Sequence, residues 1–274
     1  GNNIFVYYLF RTVGTVSHPN NGALSASTGT FSGAVTINDG DAGSVTANTV
    51  ADELVVESSG AGGMSILTPD ASDANLFLGG PGANAGAIVR WNDDSNLMSI
   101  GTNNSGGTMA LKIGGFTDAL TIDANGHVLK PLQSAFMVRS NQTQSNFATG
   151  SFTTVNFHAE RFDQNGDFDN TNMVFTAPVT GRYQLNVLIT PLEMDSAAAY
   201  FQVIFDVSNV VLQAGLLDND TVLNSDSAYF MFSGSTLVDM DAGDTCRIKI
   251  YQSGGTAQSD LGDGSATFSG YLVC

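Results

Sequence analysis

The stretch Phe175-Thr176-Ala177-Pro178-Val179-Thr180-Gly181-Arg182-Tyr183 decides how the rest of the chain is read. Pro178 presets φ for a turn corner, and Gly181 is expected to supply the positive φ of a type II-like turn. Beyond it the sequence alternates, with Tyr183, Leu185, Val187 and Ile189 on one face and Gln184 and Asn186 on the other, as in a half-buried strand. A second run, Phe268-Ser269-Gly270-Tyr271-Leu272-Val273, combines an aromatic, an apolar finish and a glycine where a neighbouring backbone is expected to come close. Neither run carries reactive chemistry, so both are scaffold signals.

Working outward, the whole chain reads as all-β. Only 13% of its 274 residues are charged, well below the usual quarter, and it contains 31 glycines. No window shows sustained 3.6-residue apolar spacing with the charged face that an amphipathic helix needs. Nine basic against twenty-six acidic residues give a net charge of −17, which disfavours nucleic acid and anionic membranes as partners. No apolar run is long enough to span a bilayer as a helix. The opening Gly1-Asn2-Asn3-Ile4 has neither the basic segment of a signal peptide nor an initiator Met, the expectation for a piece of a longer or processed chain. Cys246 and Cys274 make no disulfide framework and are expected as free, buried thiols, in keeping with assembly in a reducing cytoplasm.

The ordered set Phe175, Ala177, Pro178, Gly181, Tyr183, Gly243, Asp244, Thr267, Phe268, Ser269, Gly270, Tyr271 and Leu272 resembles the complement 1q-type globular head. That resemblance implies a trimeric jelly roll of the tumour-necrosis-factor kind over the last half of the chain. It implies no particular ligand, because such heads bind many things.

In chain order, residues 1–36 read as a strand-containing linker or the end of an upstream domain, apolar at Ile4–Phe10 and then rich in small polar residues. Residues 37–131 carry short apolar stretches separated by Gly-rich turns, among them Leu54–Val56, Met64–Leu67, Leu76–Leu78, Ala87–Trp91, Leu97–Ile100, Met109–Ile113 and Ala119–Ile122. Each offers too few large side chains for one copy to build a core, so three copies sharing an axial core are expected. Ala119-Leu120-Thr121-Ile122-Asp123-Ala124-Asn125-Gly126-His127-Val128, with Met64–Asp70 and Ile88–Asn92 before it, resembles the β-structured shafts of tailed-phage fibres. Asn125-Gly126 is a hairpin turn by local chemistry. Lys130-Pro131-Leu132 marks a boundary, and residues 132–274 hold eight candidate strands at 135–139, 155–162, 182–189, 199–207, 210–217, 229–238, 246–251 and 266–273, a jelly roll's complement. The fold class expected is therefore all-β, an elongated intertwined trimeric β shaft followed by a C-terminal jelly-roll β-sandwich head.

Acidic loops are the candidates for metal chemistry. Asp163–Asp169 has an oxygen-rich rhythm, but lacks the glycine position, the terminal Glu and the flanking helices of an EF-hand, and reads as a solvated loop. The resemblance to complement-type heads implies calcium near the trimer apex and makes Asp218 and Asp220 the candidate ligands. Asp244 reads as a structural turn residue, and Asp39, Asp41, Asp93 and Asp94 as solvated turns. His18, His127 and His158 fall in three segments without a nucleophile setting; Glu160 and Glu193 could be imagined as a glycosidase pair, but Glu160 lies in an alternating strand where an outward Glu is ordinary. No enzyme is expected and no cofactor beyond that calcium. For binding, the loops Ser140–Gly150, Met194–Ala198, Leu217–Ser227 and Ser253–Ser265 are the surface on which aromatics and amides would meet sugar.

The shaft and head resemblances together imply a virion fibre, on a bacteriophage tail or a similar appendage. Such a fibre is a homotrimer, assembled in the host cytoplasm and joined to other virion proteins on its N-terminal side. Its tip binds host surface glycan or an envelope protein through many weak contacts. The alternative is a purely structural decoration or connector whose head drives trimerisation. A third reading is a non-viral bacterial adhesin.

Overall fold

The structure is a computed structural model that describes residues 33–43, 45–219 and 222–274. All regular structure among these residues is strand, so the all-β expectation holds. Among the described residues, those from 33 to Asn75 together with Arg90–Met98 form one compact unit, and those of Leu76–Val89 with Ser99–Cys274 the other. Ile4–Phe10 and His18 lie outside the described residues.

Eight strands precede the sandwich: β1 (Val35–Asp39), β2 (Leu54–Ser58), β3 (Asp73–Gly80), β4 (Ala83–Asn92), β5 (Leu97–Thr102), β6 (Met109–Ile113), β7 (Thr117–Ile122) and β8 (Val128–Leu129). β1 pairs with β2 in parallel, β3–β4–β5 form a three-stranded sheet, and β6–β7–β8 another. The β7–β8 turn is closed by Asp123, whose carboxylate accepts from the Asn125 and His127 amides at 2.8 and 2.9 Å, and Gly126 takes the positive φ of 86°. Met64–Leu67, expected as a strand, has no regular structure, because Gly60, Gly62 and Gly63 before it and Pro69 after it remove side chains and a ladder donor. No described residue from 33 to 133 is buried, while Leu67, Phe77, Ile100, Leu111, Ile113 and Phe116 stand exposed.

Burial begins at Ser134, with the first strand of a two-sheet sandwich. Its strands are β9 (Ala135–Arg139), β10 (Thr153–Thr154), β11 (Ala159–Asp163), β12 (Phe168–Asp169), β13 (Val174–Thr176), β14 (Gly181–Met194), β15 (Ala198–Val207), β16 (Val210–Asp218), β17 (Ser227–Tyr229), β18 (Phe232–Met240), β19 (Thr245–Gly254) and β20 (Asp260–Leu272). One sheet runs β11–β9–β20–β14, with β18 and β17 pairing successive parts of β14. The other runs β12–β13–β19–β15–β16, with β10 on β19. Residues 155–158, expected within one long strand, instead join β10 to β11 across the two sheets.

The core is aromatic. Phe136 stacks on Phe175 with ring centroids 4.6 Å apart and meets Phe268 edge-on at 5.0 Å, with Phe157, Phe168, Phe201 and Phe205 buried around them. Each such ring contributes several kcal/mol through area removed from water, roughly 25 cal/mol per Å². Gly270 lies between Leu185 and Phe136 in one cross-strand row, and an added Cβ would meet Leu185 Cδ2 at 2.7 Å and Phe136 Cε1 at 2.8 Å. The close approach expected there is real, but two side chains make most of it.

The opening motif works differently from its expected turn. Gly181 does not adopt a positive φ. It starts β14, where an added Cβ would meet the Cys274 carbonyl oxygen at 2.7 Å, so the glycine lets the last residue of the chain pass. The turn is held by Tyr183, fully buried, whose hydroxyl donates to the Val179 carbonyl at 2.7 Å. On the opposite flank, Gly234 and Gly215 let β18 and β16 approach, since Cβ atoms there would meet Ala214 and the Phe232 ring. Both cysteines are free, but only Cys246 is buried, its thiol pushed up by that burial; Cys274 is exposed, contrary to expectation, although its carbonyl still accepts from the Arg182 amide of β14 at 2.8 Å.

Candidate functional site

The strand directions place the candidate loops together. The chain comes into the sandwich at residues 130–133, tied there by Gln164, which donates to the Lys130 and Gln133 carbonyls at 2.9 and 2.6 Å, and by Asn165, which donates to Leu132 at 3.1 Å. Gln133 in turn donates to the Leu272 carbonyl, so the end of β20 lies at the same place. From there β9 and β14 run away from this end, β15 returns, β16 runs out, β18 returns, β19 runs out and β20 returns. The loops after β9, β14, β16 and β19 therefore share the opposite, distal end. Three are shorter than expected. Ser253, Gly254 and Asp260–Ser265 belong to strands, leaving 255–259 as loop, Met194–Ala198 shrinks to 195–197, and Leu217, Asp218 and Ser227 of the loop between them belong to β16 and β17.

A buried polar network fixes these loops. Asp195, 2% exposed, accepts from the Ala197 amide at 2.7 Å through one oxygen, and from the Thr256 and Ala257 amides, the latter at 2.7 Å, through the other. Burial pushes its carboxyl up, but the backbone donors of Ala257, Ala197 and Thr256 outweigh that and hold it below the usual carboxylate range. Asn219 donates to the carbonyls of Asp195, Ser196 and Ala198 at 3.2, 3.2 and 2.8 Å. Gln252 donates to Gly254 and Ala257 and accepts from Ser259. Gly255, at φ 97°, is required because a Cβ would lie 2.5 Å from the Asp195 carboxylate. Such satisfied networks make loops rigid rather than adaptable. None of Asp195, Asn219 and Gln252 stands out in the sequence, since the network joins loop 195–197, Asn219 and the end of β19 with the loop after it, which lie far apart along the chain. Only the Gly254-Gly255 pair hints at a crowded backbone.

Beside this end, on the outward face of the second sheet, lies an open groove of about 410 Å³ lined by Ala199, Tyr200, Gln202, Gln213, Leu216 and Asp218. Alternation along β15 sends Phe201 and Val203 to the core and Tyr200 and Gln202 outward. In register, Gln202 lies between Leu216 of β16 and Tyr251 of β19. Tyr251 stacks on Tyr200 at 5.6 Å and packs against Phe152 at 5.0 Å, so an aromatic row crosses the face into the groove. The groove is lined by no basic residue, and the lysine of this face, Lys249, is engaged by Asp206 at 2.6 Å.

The expected site residues divide accordingly. Asp218 lies in register opposite Tyr200, at the groove's distal edge. Asp220 lies outside the described residues. No group of three His, Cys, Asp or Glu side chains placed to hold a metal occurs among the described residues. Asp218 alone offers one carboxylate where calcium takes six to eight oxygens. Asp163 turns its carboxylate inward on its own loop, accepting from the Gly166, Asp167 and Phe168 amides. Asp244 accepts from Ser208 at 2.6 Å and Asn209 at 2.8 Å, the structural turn role expected of it. Glu160 sits on β11, three strands from β14 and Glu193. At strand spacings of about 4.8 Å that is roughly 14 Å, too far for a carboxylate pair acting on one glycosidic bond. His127 holds Asp123 and His158 faces the Asn170 carbonyl.

The sequence model of the C1q domain matches residues 135–273. Among solved structures, the globular domain of zebrafish complement 1qA protein is similar at 22% identity over 52% of this chain and 98% of that one, with a TM-score of 0.39. Murine APRIL at pH 8.0 is similar at 12% identity, covering 52% of this chain and 99% of that one, with a TM-score of 0.38. The Eiger TNF of S. frugiperda matches at 11% identity, over 52% and 93% of the two chains, with a TM-score of 0.37. No curated protein matches the chain.

Proposed function

This chain belongs to the C1q-domain family, and from that premise we propose that it is the distal part of a virion fibre whose trimeric head attaches to a host surface. C1q-type domains are typically trimeric binding modules and are generally not enzymes. The fibre reading goes further and rests on one observation: from residue 33 to 133 no described side chain is buried, although this segment is strand-rich and carries exposed Leu, Ile, Phe, Met and Trp. Apolar surface on that scale is destabilising in a lone chain and favourable when other copies cover it. In this reading residues 37–131 are a shaft of three intertwined copies, residues 132–274 the head, and residues 1–36 the side facing other virion proteins. Assembly is in the host cytoplasm and the mature site is the virion.

The distal loop end and its neighbouring groove point away from the place where the chain comes into the head, which is where a fibre tip meets its receptor. The test is a paired one. Light scattering of the natively purified chain is expected to give the mass of three 28.5 kDa copies, and a monomer sinks the fibre reading. Removal of residues 132–274 is expected to abolish adsorption to host envelopes. Intact chains that trimerise without binding any host envelope favour the purely structural connector instead.

A further inference from the structure

We propose that the groove between β15 and β16 is a binding site for a neutral saccharide, with Tyr200 as its aromatic wall and the Gln202 and Gln213 amides as its hydrogen-bonding pair. This rests on the reading of the head as a surface-binding tip, and it names where and what that tip binds. Four observations converge.

The first is chemical. A pyranose has an apolar face of C–H groups and a rim of hydroxyls that both donate and accept. Its complement is a ring face or edge beside side chains that likewise donate and accept, and the carboxamide of Gln does both. Here Tyr200 and Leu216 supply the apolar side, with Gln202 and Gln213 beside them. The second is that these amides are not used elsewhere: among the described residues neither enters a side-chain hydrogen bond. Gln184 and Gln252, by contrast, are each tied to several partners. A glutamine that braces the fold looks like Gln252, and the groove's two do not.

The third observation is charge. Asp218 is the only ionisable carboxylate of the lining, no Lys or Arg lines the groove, and the chain carries −17. An anionic sugar would meet repulsion with nothing to offset it, whereas a neutral hexose or N-acetylhexosamine meets none. The fourth is rigidity. Tyr200 is held on a central strand and stacked on Tyr251, which is backed by Phe152, so little side-chain freedom is lost on binding. The volume of about 410 Å³ lies in the range of small-ligand sites, roughly 300–1,000 Å³.

The experiment uses the full chain as natively assembled. Wild type, Tyr200→Ala and Gln213→Ala are applied to a printed array of neutral hexose and N-acetylhexosamine oligosaccharides alongside sialylated and sulfated ones. Adsorption to host cells is measured in parallel, and melting curves check each fold. Gln213 is exposed on β16, so its replacement leaves the sandwich intact even where loss of Tyr200 disturbs it. Wild type is expected to bind neutral members, and each variant to bind them roughly tenfold more weakly or worse, as for loss of one hot-spot contact. The site is overturned if wild type binds only anionic sugars or none, or if both variants keep wild-type signals. The two readings fail separately. Cells still adsorbing both variants, with adsorption lost on protease treatment, overturn the groove and leave the fibre tip. Neutral sugars bound at the groove by a chain that adsorbs to no host envelope uphold the site and overturn the fibre.

Discussion

The strands before residue 134 and the strands after it are built from the same kind of sequence, short apolar runs broken by glycine and polar turns, yet they end in opposite states. In the sandwich, alternation delivers Leu185, Val187, Phe268 and Val138 to a shared interior. In residues 33–133 the same alternation delivers Ile37, Leu78, Ile100 and Ile113 to solvent. The difference is the number of layers. Two sheets stacked face to face bury what each offers, whereas two- and three-stranded sheets without a partner layer bury nothing fully. Strand propensity makes strands, and only a second apolar surface makes a core. For the upstream strands, the fibre reading assigns that surface to other copies of the chain.

The contrast breaks most directly by separating the regions. Residues 33–131 produced alone at low concentration are expected to show no cooperative thermal unfolding by circular dichroism, while residues 132–274 melt cooperatively. Next in size, Phe175→Ala removes a ring stacked on Phe136 and is expected to cost the sandwich about 3–5 kcal/mol in denaturant melts. Ile100→Ala, in the same chain, is expected to leave the sandwich's own transition unmoved and to weaken assembly instead, read by sedimentation. Gly270→Ala drives a methyl into Leu185 and Phe136 and is expected to cost about 1–3 kcal/mol.

Acid is expected to act locally and less. The Asp195 carboxyl is held below its ordinary value, near 3.9 in unfolded chains, so its contribution is present above that pH and is lost as pH falls through the lower folded value. Faster amide exchange confined to loops 195–197 and 255–259 below about pH 4 is the sign to look for. Uniform protection down to unfolding would show that Asp195 does not hold them. Asp167 has the opposite sign: burial pushes its carboxyl up, so its effect on stability is unfavourable above its folded value and is relieved in acid. The smallest effect expected is that of Tyr183→Phe, which deletes the hydrogen bond to Val179 and is expected to cost about 0.5–1.5 kcal/mol.

Much of the strand pattern was legible because its signals are local. Alternation after Tyr183 gives β14, and the Asp123–His127 turn gives the β7–β8 hairpin. Reading failed where the cause lay elsewhere in the chain. Gly181 is demanded not by its own turn but by the Cys274 carbonyl, about ninety residues on, and Cys274, expected buried, is exposed two residues beyond the end of β20. Asp195, Asn219, Gln252 and Ser259 form one network, but no spacing announces it, since Asp195 and Asn219 come from two other loops and meet the end of β19 and the loop after it only in the fold. The groove was missed for the same reason: Tyr200, Gln213 and Tyr251 become neighbours only through the registers of β15 with β16 and β19. The distal loops were named from sequence, and what the sequence lacked was that they share one end.

The central claim is that the upstream strands have no stability of their own while the sandwich does. Amide hydrogen exchange, read by mass spectrometry on the intact chain at assembling concentration and after dilution to monomer, tests it most directly. The account predicts that amides of β14, β19 and β20 stay protected in both states, and that those of β1–β8 are protected only in the assembly. Protection of β4, β6 or β7 in the diluted monomer, at a level matching the sandwich, would contradict it.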